Sequence, residues 1–281
     1  MNYRHAYHAG NAADVLKHAV VALVIEHLKA KPAPFAVIDV HAGRGDYDLT
    51  GIEARKTAEA DEGVAALFGK PAPHPAFVPY LDAVAGLNPD GVLRRYPGSP
   101  RLARLLLRPQ DRLACAELHE EEHLALKAAF AGDPQVAVHR QDAYAGLKAF
   151  LPPKEKRAVV LIDPPFEQPD EFERMADGLE RAYRRCPNAI YLLWRPIKER
   201  PAIWRYQEAL AATGIPRILT VELTVHDEDT HLRLNGSGLE IVNPPWRLDE
   251  TLREALPLLR AALPHDGGGT KVAWLVGEKP A

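Results

Sequence analysis

A chain of 281 residues with 47% hydrophobic and 26% charged residues is large enough for a substantial core and has the composition of a soluble enzyme. It has no apolar run near the ~18 residues of a membrane helix, and its start, Met1-Asn2-Tyr3-Arg4-His5, lacks a signal-peptide core, so a cytoplasmic location is expected. The two cysteines, Cys115 and Cys186, exclude a disulfide framework, and a net charge of −3 argues against a dedicated duplex binder, which is usually basic.

The amino terminus crowds Tyr3, Arg4, His5, Tyr7, His8, Lys17 and His18 into a segment that ends in a helix over Ala12 to Leu28. Core packing does not ask for that composition. A tail over residues 1–11 that closes on a site does, with a surface extension as the rival reading. Next, Phe35-Ala36-Val37-Ile38-Asp39-Val40 predicts a buried strand, and the following Gly43 and Gly45 let the backbone approach a ligand. A lone G-x-G is weak evidence, and Asp46-Tyr47 stands where a third glycine would be. Residues 49–100 then read as a small helical insertion. Two short helices, Glu53 to Phe68 and Phe77 to Leu87, flank a proline-rich break, and the turn Tyr96-Pro97-Gly98-Ser99-Pro100 follows, with Ser99 capping a helix over Arg101 to Leu107.

Leu113 to Leu118 reads as a second strand with Glu117 near its end, the usual device for holding the two ribose hydroxyls of an adenosine cofactor. In a simple βαβ unit that acid falls about 20 residues past the glycines. The longer gap here is what the insertion explains. Beyond it the alternation is regular: helix His119 to Ala131, strand Val136 to His139, the turn Asp142-Ala143 placed to bond a cofactor's adenine amine, and helix Tyr144 to Leu151. A strand over Ala158 to Ile162, a helix over Asp170 to Cys186 and strands over Ala189 to Trp194 and Arg217 to Val225 come next. Gly238 to Val242 and Lys271 to Val276 read as a closing pair. Such alternation means an α/β fold with a mostly parallel sheet covered on both faces, one domain over 1–281 with one insertion.

The strand over 158–162 runs into Asp163-Pro164-Pro165-Phe166, the arrangement used to methylate an exocyclic amine with S-adenosylmethionine. Such an amine is a poor nucleophile because its lone pair is delocalised into the ring, so the site must supply acceptors for both N–H groups. The Asp163 carboxylate and the Pro164 carbonyl accept one each, and Phe166 offers a face for a base taken out of its stack. Asn243-Pro244-Pro245-Trp246 fits the same motif. Chain order separates the two: Asp163 ends the fourth strand, beside the glycine turn, whereas Asn243 comes later, in the peripheral part of the sheet, and reads as a structural turn. Basic clusters at Arg94, Arg95, Arg101, Arg104 and Arg108, at Lys154, Lys156 and Arg157, at Arg181, Arg184 and Arg185, and at Arg195, Lys198 and Arg200 read singly as solvated faces and jointly as a grip for a short RNA segment.

Tyr3-Arg4-His5, His8-Ala9-Gly10-Asn11, Asp14-Val15-Leu16-Lys17-His18, Asp39-Val40-His41-Ala42-Gly43, Tyr96-Pro97-Gly98-Ser99-Pro100, Glu117-Leu118-His119 and Asp163-Pro164-Pro165-Phe166 together resemble the RlmJ family of bacterial 23S ribosomal RNA adenine-N6 methyltransferases. The resemblance runs in register over essentially the whole chain. It implies a Rossmann-like S-adenosylmethionine-dependent methyltransferase fold with an inserted small helical subdomain, acting on 23S ribosomal RNA; a monomer is expected. By the same resemblance, His18, His41, Gly43, Ser99, Glu117, Asp142 and Ala143 bind S-adenosylmethionine, Asp163 is the catalytic acceptor and Tyr3 contacts the RNA. His5 and Lys17 are assigned to the substrate or to closure of the active site. Phe166 stands where the family more often has tyrosine, and Ala143 where glycine is common. Two other readings share features of the chain: a DNA adenine methyltransferase, and a metal-dependent hydrolase or metal-binding regulator using the cluster His226-Asp227-Glu228-Asp229-Thr230-His231.

Overall fold

The sheet is built outward from β1 (Ala36–Asp39), whose four residues are buried in the computed structural model of the chain, which describes residues 5–228 and 230–278. Tyr3 and Asp229 lie outside the described residues. Because successive strand residues face opposite ways, Val37 enters the core on one face of the sheet and Ile38 the core on the other. β1 pairs in parallel with β4 (Arg112–Ala116) on one side and with β6 (Ala158–Ile162) on the other. Beyond β4 lies β5 (Val136–His139), and beyond β6 lies β7 (Ile190–Ile197), both parallel. The chain thus leaves β1 in one direction and returns on its other side, which makes the carboxyl ends of β1, β4 and β6 a switch point where a ligand crevice opens.

The far half of the sheet changes direction. β9 (Gly236–Val242) lies antiparallel between β7 and β8 (Ile218–Thr224), and β10 (Thr270–Val276) closes the edge antiparallel to β8. The expected closing pair is therefore not a pair, since β8 separates β9 from β10. Six of the eight strands run one way, as the alternation of elements implies. One face carries α1 (Ala12–Lys29), α5 (Ser99–Leu106), α6 (Glu120–Ala129) and α10 (Leu248–Ala262); the other carries α7 (Ala143–Phe150), α8 (Glu171–Arg185) and α9 (Arg200–Ala212). Among the described residues no helix is long and apolar enough to cross a membrane.

A helix that is apolar nearly all round belongs inside a protein, and α1 is buried along most of its length, between the sheet and the inserted segment. The insertion holds α2 (Ile52–Thr57), α3 (Val64–Leu67) and α4 (Val78–Gly86). It is pinched at its base by a ribbon the sequence does not announce, in which β2 (Asp46–Asp48) pairs antiparallel with β3 (Arg95–Pro97). Asn88, buried just after α4, donates to the carbonyls of Val84 and Arg95 and accepts from the amides of Arg94 and Arg95, so one side chain locks the insertion to the strand that follows it.

The proposed cap at Ser99 is not formed. Gly98 occupies the cap position without a side-chain bond, and Ser99 is the first residue of α5, its hydroxyl donating to Asp39 Oδ2 at 2.6 Å. Several of the basic clusters are also neutralised within the chain. Arg101 bonds Asp46 at 2.7 Å, Arg104 bonds Asp133 at 2.6 Å, and Arg195 is fully buried between Glu222 and Glu240 at 2.6 and 2.9 Å. A buried guanidinium persists only when paired, so Arg195 belongs to the interior and offers nothing to a nucleic acid.

Candidate active site

The carboxyl ends of β1, β4, β5 and β6 converge on a cavity of about 990 Å³. Its floor is the Asp163 segment that follows β6. Asp163 donates its main-chain N–H to His41 Nδ1 at 3.2 Å, so His41, two residues past β1, carries its proton on Nε2. Burial pushes the His41 imidazole down to about 4, which keeps the ring neutral. Phe166 adopts a left-handed backbone (φ 52°), costly for an aromatic residue, and its ring is fixed edge-on against Phe172 and Trp194 at 5.0 and 6.0 Å between centroids. Strain retained beside a carboxylate in a cavity marks a segment whose orientation matters.

From the opposite wall comes the first turn of α1. Asn11 caps the helix by accepting from the Asp14 amide at 2.9 Å, and Asp14 reaches back to the amide of Gly10 at 2.9 Å, a reciprocal cap of the kind that fixes a chain's entry into a helix. Residues three and four apart on a helix are neighbours, so Asp14, Lys17 and His18 share the face that meets the cavity. Lys17 Nζ lies 2.8 Å from Asp14 Oδ1 and 2.6 Å from Asp163 Oδ2, and it stands over the Trp194 ring. Burial alone would discharge the ammonium, but Asp14 and Asp163 outweigh it and hold Lys17 well above its usual range. Burial likewise opposes the Asp14 charge, yet His5 and Lys17 keep its carboxyl well below the usual range. His5 Nε2 is 2.9 Å from Asp14 Oδ2 and its ring meets Tyr47 edge-on. From His5 onward the amino-terminal block is therefore packed, with Ala6, Ala9, Asp14, Lys17 and His18 buried.

The third wall is the glycine turn. Gly43 has φ 58°, and a Cβ there would come within 2.6 Å of the Tyr47 hydroxyl, so both backbone and space require glycine. Its amide donates to Glu117 Oε2 at 2.8 Å, while His119 N–H donates to Oε1 at 2.7 Å. Glu117 stands just past β4, held at both oxygens with lone pairs to spare. Asp142 caps α7 through Oδ1, accepting from the amides of Tyr144 and Ala145 at 3.0 Å. Ala143, the first residue of α7, is buried at the cavity wall, where its amide has no intrahelical partner. Beside them, His18 Nε2 is a buried polar atom with no hydrogen-bond partner, an atom left for a ligand. These groups, a carboxylate past β4 with lone pairs to spare, an acid-amide pair one strand further and an orphaned imidazole nitrogen, fit S-adenosylmethionine.

The structure thus brings together His18, His41, Gly43, Ser99, Glu117, Asp142, Ala143, Asp163, Pro164, Phe166, Lys17 and His5 around one cavity. It also places there Asp14 and Trp194, and it buries Asp39 at the end of β1; sequence reasoning assigned none of the three a role. Asn11-x-x-Asp14 is a capping signature that would have located Asp14. No local signal exposes Asp39, whose partner Ser99 is 60 residues away. Burial raises the Asp39 carboxyl to about 7, against the pull of the Ser99 hydrogen bond and with a further push from the Asp163 charge. Because that value lies above the ordinary 3.8, the stability tied to this group is complete below about pH 4 and is lost as pH rises to about 7. Asp39→Asn, which cannot ionise, should therefore gain melting temperature relative to the parent between about pH 5 and pH 8. A difference between the two proteins that stays constant over that range in thermal melts would remove Asp39 as the cause.

Geometry sets the second proline motif apart from the site. Since β9 runs antiparallel to β7, Asn243 emerges at the opposite end of the sheet from Asp163, where its amide donates to the carbonyls of Pro187 and Ala189 at 2.8 Å. It lies below an interior strand, not in the periphery. In the charged loop, His226 bonds Asp266, Asp227 accepts from the Gly268 amide and Glu228 pairs with Arg200. Among the described residues no group of three or more His, Cys, Asp or Glu side chains is placed to hold a metal ion.

Residues 32–276 match the family model described as "Ribosomal RNA large subunit methyltransferase D, RlmJ". The chain is 41% identical to the ribosomal RNA large subunit methyltransferase J of Escherichia coli over 99% of its own length and all of that protein, and 39% identical to the protein of the same name from Haemophilus influenzae over the same shares. A crystal structure of a Legionella pneumophila protein superimposes with a TM-score of 0.87 at 28% identity, covering 95% of this chain and 98% of that one.

Proposed function

Since the chain belongs to the RlmJ family of ribosomal RNA large subunit methyltransferases, we propose that it transfers a methyl group from S-adenosylmethionine to the exocyclic N6 amine of an adenine in 23S ribosomal RNA. The observation that carries this reading is the Asp163 carboxylate at the end of β6, fixed by Lys17 through one oxygen and facing the cavity that Glu117 and Asp142 share. S-adenosylmethionine, when bound, supplies a methyl group on a positively charged sulfur. Glu117 accepts from the two ribose hydroxyls, Asp142 from the cofactor's adenine amine, and the Ala143 amide donates to the adjacent ring nitrogen.

On the substrate side, Asp163 Oδ1 and the Pro164 carbonyl each accept one N–H of the target amine, which draws the nitrogen towards tetrahedral geometry and turns its lone pair to the methyl group. The flipped base rests on Phe166. As the nitrogen takes the methyl group from the sulfonium, whose bonding pair would return to the sulfur as a neutral thioether, it becomes cationic, and the Asp163 charge stabilises it where the charge develops. The nitrogen then sheds one proton at Asp163 Oδ1, which restores the neutral product.

Lys17 engages Asp163 Oδ2, which leaves Oδ1 to accept from the amine. His5, tied to Asp14, belongs to the scaffold that holds Lys17, and the RNA contact falls to Tyr3 and the neighbouring surface. The test is mass mapping of methylated adenines in ribosomal RNA from cells lacking this chain, with and without complementation. One adenine should lose and regain its methyl group, and an unchanged pattern would overturn the assignment. On the cofactor side, Glu117→Ala should weaken S-adenosylmethionine binding by about 1.5–3 kcal/mol, the worth of hydrogen bonds to a charged group, while Asn243→Ala leaves it unchanged in calorimetry.

A further inference from the structure

The orphaned Nε2 of His18 ends a hydrogen-bond chain that starts in the inserted helices. Tyr80 of α4 has its hydroxyl 3.1 Å from that of Tyr96 in β3, and the Tyr96 hydroxyl is 2.7 Å from His18 Nδ1. All three side chains are buried, and the His18 and Tyr96 rings stack at 5.4 Å. Burial pushes the His18 imidazole down to about 3 and the Tyr96 phenol well up, so the ring is neutral and the hydroxyls keep their protons.

Two orderings of the protons are available, and they differ in what they leave unmade. If His18 Nδ1–H donates to Tyr96 and Tyr96 to Tyr80, the Tyr80 proton is buried with no acceptor, because Tyr96 is its one hydrogen-bond partner among the described residues. A buried donor without an acceptor costs more than a typical hydrogen bond contributes. If Tyr80 donates to Tyr96 and Tyr96 to His18 Nδ1, every proton inside the chain is placed. The one remaining donor is then the buried Nε2–H of His18, a residue that lines the cavity.

We propose that Tyr96 is a positioning residue that fixes His18 with its proton on Nε2, so that this N–H receives the carboxylate of the cofactor's amino-acid end, and that Tyr80 completes the chain from the insertion. The proposal rests on the S-adenosylmethionine reading above. Glu117 and Asp142 mark the ribose and adenine positions past β4 and β5, which leaves the amino-acid end on the side of α1 and β6. A neutral N–H donor there suits a carboxylate and cannot accept from an ammonium. Lys17 does not substitute for it, being already engaged by Asp14 and Asp163. The insertion is on this account part of the cofactor site, joined to it by Tyr80 and Tyr96.

The test uses the full chain with nitrogen-15 histidine, whose long-range proton–nitrogen spectra distinguish the tautomers. His18 should be protonated on Nε2, and its resonance should move when S-adenosylhomocysteine is added but not with methylthioadenosine, which lacks the amino-acid end. In calorimetry, Tyr96→Phe should weaken S-adenosylhomocysteine about tenfold, the scale of one hydrogen bond, and methylthioadenosine less than about twofold. Tyr80→Phe, which leaves the Tyr96 donor in place, should cost about threefold or less. Protonation on Nδ1, or equal losses for both ligands in Tyr96→Phe, overturns the proposal. Should Tyr96→Phe not fold, the wild-type spectrum still decides. A wild-type protein that binds neither ligand and transfers no methyl group removes the methyltransferase reading and the proposal with it, whereas binding of both ligands without a His18 response removes the proposal alone.

Discussion

Asp163→Asn is expected to fold, to bind S-adenosylmethionine nearly as the parent does, and to lose methyl transfer by about 10²–10³-fold, the scale seen when one electrostatic contact to a developing charge is removed. The amide is the same size, and its oxygen can still accept from Lys17, so the packing around the strained Phe166 is kept. What disappears is the negative charge facing the amine. An amide also has one acceptor oxygen where the carboxylate has two, so a side chain that satisfies Lys17 has only a donor left for the substrate amine. The measurement is single-turnover transfer of a tritiated methyl group, paired with cofactor titration. Equal rates in mutant and parent would sink the role given to Asp163, and a loss confined to cofactor affinity would move that residue to the cofactor side.

Lys17→Ala should be costly in two ways. The ammonium sits between two carboxylates with only 5% of its side chain exposed, and removing one partner from a buried ionic cluster leaves uncompensated charge, at about 3–5 kcal/mol. The variant should therefore melt well below the parent, and the deficit should shrink as pH falls far enough to protonate Asp14, which is abnormally acidic only while Lys17 and His5 are present. Methyl transfer should fall too, since Asp163 loses the cation that orients it. Lys17→Met, which fills the volume without the charge, separates the effects: if it restores neither stability nor activity, the charge and not the packing is responsible. A Lys17→Ala protein with unaltered melting would show that the pair observed at 2.6 Å contributes nothing to the fold.

The parts of this molecule that could be read from its sequence are those whose cause is local. Ala158 to Ile162 is five consecutive buried residues leading into an acid and two prolines, and the strand and its depth follow from that run. The parts that were hidden depend on distant partners. Asp46-Tyr47-Asp48 has no apolar run, and it becomes a strand only because Arg95-Tyr96-Pro97 lies beside it. Arg195 reads as a surface charge until Glu222 and Glu240 are brought to it from β8 and β9. Residues 200–212 open on a proline between charges, yet Ile203, Tyr206 and Leu210 stand at helical spacing and are buried along one face of α9. At the site, Glu117 and Asp142 were visible because each follows a strand, whereas the link between Lys17 and Asp163 spans 146 residues and has no sequence signature.

The position of β9 bears on how the chain is made. α1 packs against β9, although the two are more than 200 residues apart in sequence. During synthesis the ribosome releases the amino terminus first, so an apolar helix carrying a buried ionic cluster waits for its last wall until residue 242 has emerged. Until then the edge of β7 is also unpaired, and a strand edge beside an uncovered apolar face is what nascent chains must be shielded from. Assembly of the catalytic pocket is thus a late event for its earliest-made part, and fragments ending before β9 should be poor folders even though they contain every residue that lines the cavity.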